Sequence, residues 1–186
     1  HNSRKQEFID RMKEVISKLR VGDPSKEDTQ MGPMINIHAA QRIEEQVNKT
    51  IEQGATLVCG GKREDAFYYP TILDNVTKNM DVAKDMEIFG PVIPVIGFNT
   101  EEEAIEIANQ SSYGLCGCVI TKDYSRGLKI ANKLECGGAI VNGASFFRSF
   151  EMPFGGWKHS GIGNEGVSST LQEMSRVKTI VLKNIL

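Results

Sequence analysis

Apolar residues recur at helical spacing from the first turn of the chain. Phe8, Met12, Val15, Ile16 and Leu19 share one stripe, which predicts an amphipathic helix entered through the capping box Ser3-x-x-Gln6 and stopped by Val21-Gly22-Asp23-Pro24. His1 leaves that helix almost no lead-in, so the chain is expected to begin partway through a fold. Ala40, Ile43, Val47 and Ile51 line a second helix, which Gly54 ends. The period then shortens. Ala55 to Cys59 reads as a short strand, and Tyr68 to Leu73 as an edge strand because Pro70 lacks a ladder donor. Pro91 to Phe98 reads as a nearly all-apolar strand buried on both faces.

Thr100-Glu101-Glu102-Glu103 is another capping box, followed by Ala104, Ile105, Ile107 and Ala108, then an apolar strand from Leu115 to Thr121. A helix carrying Leu128, Ile130, Ala131 and Leu134 leads through Gly137-Gly138 to a strand over Ala139 to Asn142. Two βαβ units in succession predict an α/β fold with an open, mostly parallel sheet and flanking helices. From Gly143 to Gly166 no clean period survives, a length of irregular chain that is usually functional. A short helix over Ser168 to Met174 precedes Arg176 to Leu186, where alternation predicts a terminal strand. The expected organisation is one domain over 1–175 and a separate strand over 176–186.

Composition narrows the function classes. The 186 residues are 40% hydrophobic and 25% charged, enough apolar mass to rule out disorder as the default. With 22 basic and 24 acidic residues the net charge is -2, which offers no footprint for nucleic acid or an anionic membrane. The longest apolar run, Ile88 to Phe98, is far short of the about twenty residues a bilayer span needs. No export leader is evident, and Cys59, Cys116, Cys118 and Cys136 lack a Cys-x-x-Cys pair, so reduced thiols in a cytoplasmic protein are expected. The three histidines, at 1, 38 and 159, are too scattered for a metal site.

Gly161-Ile162-Gly163-Asn164-Glu165-Gly166 matches the Gly-x-Gly-x-x-Gly pattern but has neither a strand before it nor an acidic residue about twenty positions after it. Tight turning and close packing account for these glycines better. No serine sits in a Gly-x-Ser-x-Gly elbow, which leaves a hydrolase weakly supported. Glu87-Ile88-Phe89-Gly90-Pro91-Val92 places a carboxylate and a ring two residues apart before the apolar strand, where a cleft at strand ends would meet them. From the residues alone, a solvated Glu87 and a core Phe89 is the simpler account.

That segment, together with Tyr113-Gly114-Leu115 and Pro153-Phe154-Gly155-Gly156-Trp157-Lys158-His159-Ser160-Gly161-Ile162-Gly163, resembles in order and spacing the C-terminal part of the NAD(P)-dependent aldehyde dehydrogenase family. Val21-Gly22-Asp23-Pro24, Met31-Gly32-Pro33 and Cys59-Gly60-Gly61 extend the resemblance over essentially the whole chain, and Asn164 departs from it where members commonly carry Arg.

The resemblance implies thiolate attack on an aldehyde, hydride passage to NAD or NADP and hydrolysis of a thioester by a water that a glutamate activates. It also implies that the nucleophile, the general-base glutamate and the dinucleotide-binding domain lie upstream. No catalytic residue is then expected among these 186, and the chain alone is expected to be inactive. Glu87 resembles the acceptor for the nicotinamide-ribose hydroxyls, and Phe89 the ring near the nicotinamide. Asn142 to Phe154 resembles the loop at the aldehyde tunnel mouth, with Phe147 and Phe154 as apolar walls. Arg148 and Ser149 either hold the distal carboxylate of a semialdehyde or, in the case of Arg148, form an exposed loop charge. Residues 176–186 resemble the family's oligomerisation strand, which implies a homo-oligomer. The chief rival is a non-catalytic interaction module that keeps the fold.

Overall fold

The computed structural model describes residues 1–184. The chain divides into two compact units, the first ending at Ser111 and the second beginning at Ser112. In order, the first unit contains α1 (Asn2–Ser17), α2 (Ile37–Glu52), β1 (Thr56–Cys59), β2 (Arg63–Glu64), β3 (Phe67–Tyr68), β4 (Thr71–Val76), β5 (Val92–Ile96) and α3 (Glu101–Asn109).

β1, β4 and β5 form a three-stranded sheet with β4 in the middle, β1 antiparallel to it and β5 parallel. Alternation along these strands assigns each helix its face. Ile72, Val95 and Ile93 pack with Ile9, Met12 and Ile16 of α1. Leu73, Val76, Val92 and Ile96 pack with Ile43 and Val47 of α2. The result is a helix–sheet–helix layering with an apolar cluster on each side of the sheet. Lys5 of α1 also reaches the sheet, donating to Asn75 Oδ1 at 3.2 Å.

Three expectations are corrected here. α1 starts at Asn2 because His1 is its N-cap, the imidazole accepting the Ser3 N–H at 3.1 Å, so Ser3 lies inside the helix rather than capping it. The segment read as an edge strand from Tyr68 is interrupted. Pro70 falls between β3 and β4 and removes no ladder donor, which frees β4 to be the central strand. β5, expected to be buried on both faces, is half-buried apart from Val95, because it has a strand neighbour in its sheet only on the β4 side. Thr100 caps α3 as expected, accepting the Glu103 N–H at 3.2 Å, while Glu103 accepts the N–H of Asn99 at 2.8 Å.

The second unit contains β6 (Tyr113–Gly114), β7 (Cys116–Val119), α4 (Tyr124–Ala131), β8 (Gly138–Val141), β9 (Trp157–Lys158) and α5 (Val167–Glu173). β7, α4 and β8 make a βαβ unit, with Cys116 opposite Gly138 and Val119 opposite Val141 in parallel register. Asp123 caps α4 by accepting the Arg126 N–H at 3.0 Å. Of the two βαβ units expected, only this one closes within a single sheet, since β5 pairs with β4 and β7 with β8. β9 pairs antiparallel with β6, a contact too short to leave any periodic trace in the sequence.

The expected terminal strand does not form over residues 176–184. An extended segment becomes a strand only where a neighbour lines up its N–H and C=O groups, and Val177, Ile180, Val181 and Leu182 stay exposed here. Residues 185–186 lie outside the described residues.

Ile72 is fully sealed from solvent at the centre of the sheet. Ile72→Ala is expected to destabilise the first unit by about 2–5 kcal/mol, measured by thermal or urea unfolding. A loss below about 1 kcal/mol would contradict the layering described.

Candidate functional site

The approach to β5 is held on two sides. Asp81, at the start of a short 3-10 turn, pairs with Lys49 of α2 at 2.6 Å and donates its backbone N–H to Gln53 Oε1 at 3.1 Å. The Lys49 hydrogen bond holds the Asp81 carboxyl below its ordinary range. Gln110, just after α3, donates to the carbonyl of Ala83. Downstream, Thr71 N–H donates to Pro91 O at 2.9 Å, tying the end of the loop to β4.

Between these anchors, Ile88 is buried while Glu87 and Phe89 on either side of it are exposed. Ile88 joins the cluster beneath α2 and occupies the core position expected of Phe89. Phe89 adopts φ 54°, a conformation bulky side chains avoid at a cost of about 1–2 kcal/mol, and the residue is 75% exposed. The next residue is closely packed. A Cβ at Gly90 would lie 2.4 Å from Ile43 Cδ1, so the backbone runs tight against α2.

Glu87 and Phe89 line one open hollow of about 500 Å³ together with Val82, Met86, Val92 and Pro94. It lies at the N-terminal end of β5, whereas open α/β sheets usually bind ligands at the carboxyl ends of their strands. Glu87 makes no hydrogen bond or ion pair among the described residues, so both its oxygens can accept from a ligand. A carboxylate beside an apolar floor and a ring suits a ligand with vicinal hydroxyls and a flat heterocycle. This acceptor and ring thus fit a nicotinamide riboside.

The other candidates belong to the second unit. Asn142, at φ 58°, closes the end of β8, its Oδ1 accepting the Thr121 N–H at 2.8 Å. The chain then winds through turns in which Phe147 N–H donates to Ala144 O at 3.0 Å and Met152 N–H to Ser149 O at 3.2 Å. Phe147, Arg148 and Ser149 are exposed, and Phe154 is half-buried. Arg148 and Phe154 are brought together, the guanidinium carbon standing 3.0 Å from the ring centroid. Phe154 is itself fixed by an exchange of backbone hydrogen bonds with Glu165, at 2.8 and 2.7 Å. This bridge was invisible to sequence reasoning, as was Ser160 Oγ accepting the Gly114 N–H at 2.9 Å. Neither pairing has a periodic or motif signature.

All four cysteines are free. Burial pushes the Cys136 thiol up, the opposite of what a nucleophile requires. Among the described residues no three His, Cys, Asp or Glu side chains gather to hold a metal ion, and no helix is long and apolar enough to cross a membrane.

The family model for the aldehyde dehydrogenase family matches residues 1–180. Lactaldehyde dehydrogenase of Methanococcus aeolicus is 45% identical over 176 residues, covering 95% of this chain and 37% of its own length. 3-Sulfolactaldehyde dehydrogenase of Priestia megaterium is 43% identical, covering 94% of this chain and 36% of its own. Among solved structures, glyceraldehyde-3-phosphate dehydrogenase GapN of Methanocaldococcus jannaschii complexed with NADP superposes with a TM-score of 0.91 at 44% identity, over 96% of this chain and 38% of that one. Mycobacterium tuberculosis aldehyde dehydrogenase complexed with NAD+ gives 0.91 at 38% identity, over 97% and 38%. The chain therefore spans between 36% and 38% of the length of these relatives.

Backbone strain at Phe89 is directly measurable. Phe89→Gly removes a mostly exposed ring and relieves the left-handed backbone, so it is expected to raise unfolding stability by about 1 kcal/mol. A destabilised variant in thermal unfolding would show that the ring, not the site, dictates the conformation.

Proposed function

Because this chain belongs to the aldehyde dehydrogenase family, we propose that it supplies the nicotinamide-ribose grip and part of the aldehyde tunnel of an NAD(P)-dependent enzyme that oxidises aldehydes to carboxylic acids. What supports this reading is Phe89, held in a strained backbone with its ring turned out beside the Glu87 carboxylate over a single hollow. Such strain persists only where the surroundings over-determine it, and it clusters at functional sites.

In this reading Glu87 accepts hydrogen bonds from the ribose hydroxyls and so fixes the reactive end of the cofactor, while Phe89 walls it from water. The cofactor, when bound, supplies the hydride acceptor. Phe147 and Phe154 form apolar walls for the aldehyde. Arg148 and Ser149 receive a distal anionic group such as a semialdehyde carboxylate, for which a guanidinium offers two-point recognition. The Arg148 guanidinium rests on the Phe154 ring and is thus pre-placed at the wall without being neutralised by a carboxylate there. The nucleophilic thiol and the general base lie outside these 186 residues, and the chain by itself does not turn over aldehyde. The segment from Arg176 onward mediates homo-oligomer formation by pairing over its described residues, 176–184, and the free thiols accord with a cytoplasmic setting.

Two measurements on the full-length protein test this. Glu87→Gln is expected to weaken NAD(P) binding and to slow hydride transfer by about tenfold, the cost of losing a charge-assisted acceptor. Unchanged affinity and rate together would sink the assignment. For Arg148→Ala, kcat/KM for succinate semialdehyde is expected to fall about tenfold or more while that for propanal holds. Equal effects on both substrates would return Arg148 to a loop charge.

A further inference from the structure

Glu173 is the last residue of α5. Anions are disfavoured at that end of a helix, because the terminal carbonyls carry partial negative charge. A carboxylate kept there calls for a compensating donor, and it has one. Asn164 N–H donates to Glu173 Oε1 at 2.9 Å. The loop comes down closely on the carboxylate: Gly163 has φ 75°, and a Cβ there would lie 2.6 Å from Glu173 Oε2. Glycine takes this conformation without strain, and its missing Cβ admits the carboxylate.

The constraint passes one residue further along the chain. Glu165 and Phe154 exchange their backbone hydrogen bonds at 2.7 and 2.8 Å. Gly155 closes against the same loop, since a Cβ on it would stand 2.3 Å from Gly163 O and 2.4 Å from Asn164 Oδ1. Phe154 in turn carries the Arg148 guanidinium on its ring. Phe154 and Glu173 both stand on the wall of one cavity of about 320 Å³.

We propose that Glu173 is a positioning residue for the aldehyde-binding wall. Its carboxylate holds the loop at Gly163 to Glu165, the loop holds the backbone of Phe154, and Phe154 sets where the Arg148 guanidinium stands. This rests on the reading of Phe154 and Arg148 as substrate residues, and it adds a group that touches neither substrate nor cofactor.

Glu173→Ala and Glu173→Gln separate the acceptor from the mere presence of a side chain, because Gln keeps an oxygen in the same place. In the 186-residue chain, amide hydrogen exchange at Asn164, Glu165 and Phe154 is expected to speed about tenfold in Glu173→Ala and to return most of the way in Glu173→Gln. In the full-length protein, KM for succinate semialdehyde is expected to rise about fivefold in Glu173→Ala with kcat within about twofold, again recovered by Gln. Unchanged exchange at Glu165 and Phe154 in the Ala variant overturns the role of Glu173, as does a fall in kcat at constant KM. A wild-type full-length protein that oxidises no aldehyde overturns the substrate-wall reading itself, and the exchange data then show separately whether Glu173 holds Phe154.

Discussion

The first unit depends on sealing β4 between two helices. Thr71, Ile72 and Leu73 are all 0% exposed, with Ile72 turned towards α1 and Leu73 towards α2. A strand buried on both faces cannot slip by one residue without moving its side chains to the opposite helix, so its register with β5 is strongly specified. Thr71 is therefore set opposite Val92, and the segment immediately before Val92 must enter the sheet at one place. Glu87 to Gly90 occupy that entry. The hollow they line follows from how the core is built.

The two units hold their candidate residues by different means. Before β5 the loop is braced by side chains from neighbouring helices, Lys49 and Gln53 on one side and Gln110 on the other. Ile88 is buried as a peg, and the cost of that arrangement appears as the left-handed Phe89. Around Phe154 the bracing is mostly backbone against backbone, through the exchange with Glu165 and the close glycine contacts of Gly155. Backbone contacts at that range leave no room for a Cβ at Gly155 and Gly156, while Gly161, Gly163 and Gly166 take positive φ, so these glycines are explained without a phosphate-binding role.

On the proposed function, recognition and chemistry are separated in this chain. Its acceptors, rings and guanidinium fit groups that bind and orient, whereas the Cys136 thiol is pushed away from the thiolate form. That division accords with a chain spanning between 36% and 38% of its relatives' length.

What was legible in the amino-acid order is what depends on local period and local caps. The stripe of α2, the Thr100 cap and the β7–α4–β8 unit follow from spacing and side-chain chemistry a few residues apart, whereas α1 turns Ile9, Met12 and Ile16 to the sheet and leaves Phe8 and Val15 of its expected stripe exposed. Glu87, Phe89, Phe154 and Arg148 were also nameable, through motif resemblance. Tertiary structure decided what depends on distant partners. It made β4 central and left β5 half-buried, because a strand's neighbours are not encoded in its own pattern. It turned Phe89 outward because Ile88 competes for the same core site, joined Phe154 to Glu165 main chain to main chain, and set the Glu173 carboxylate on the main-chain N–H of Asn164; main-chain groups are common to nearly all residues, and no sequence can single them out.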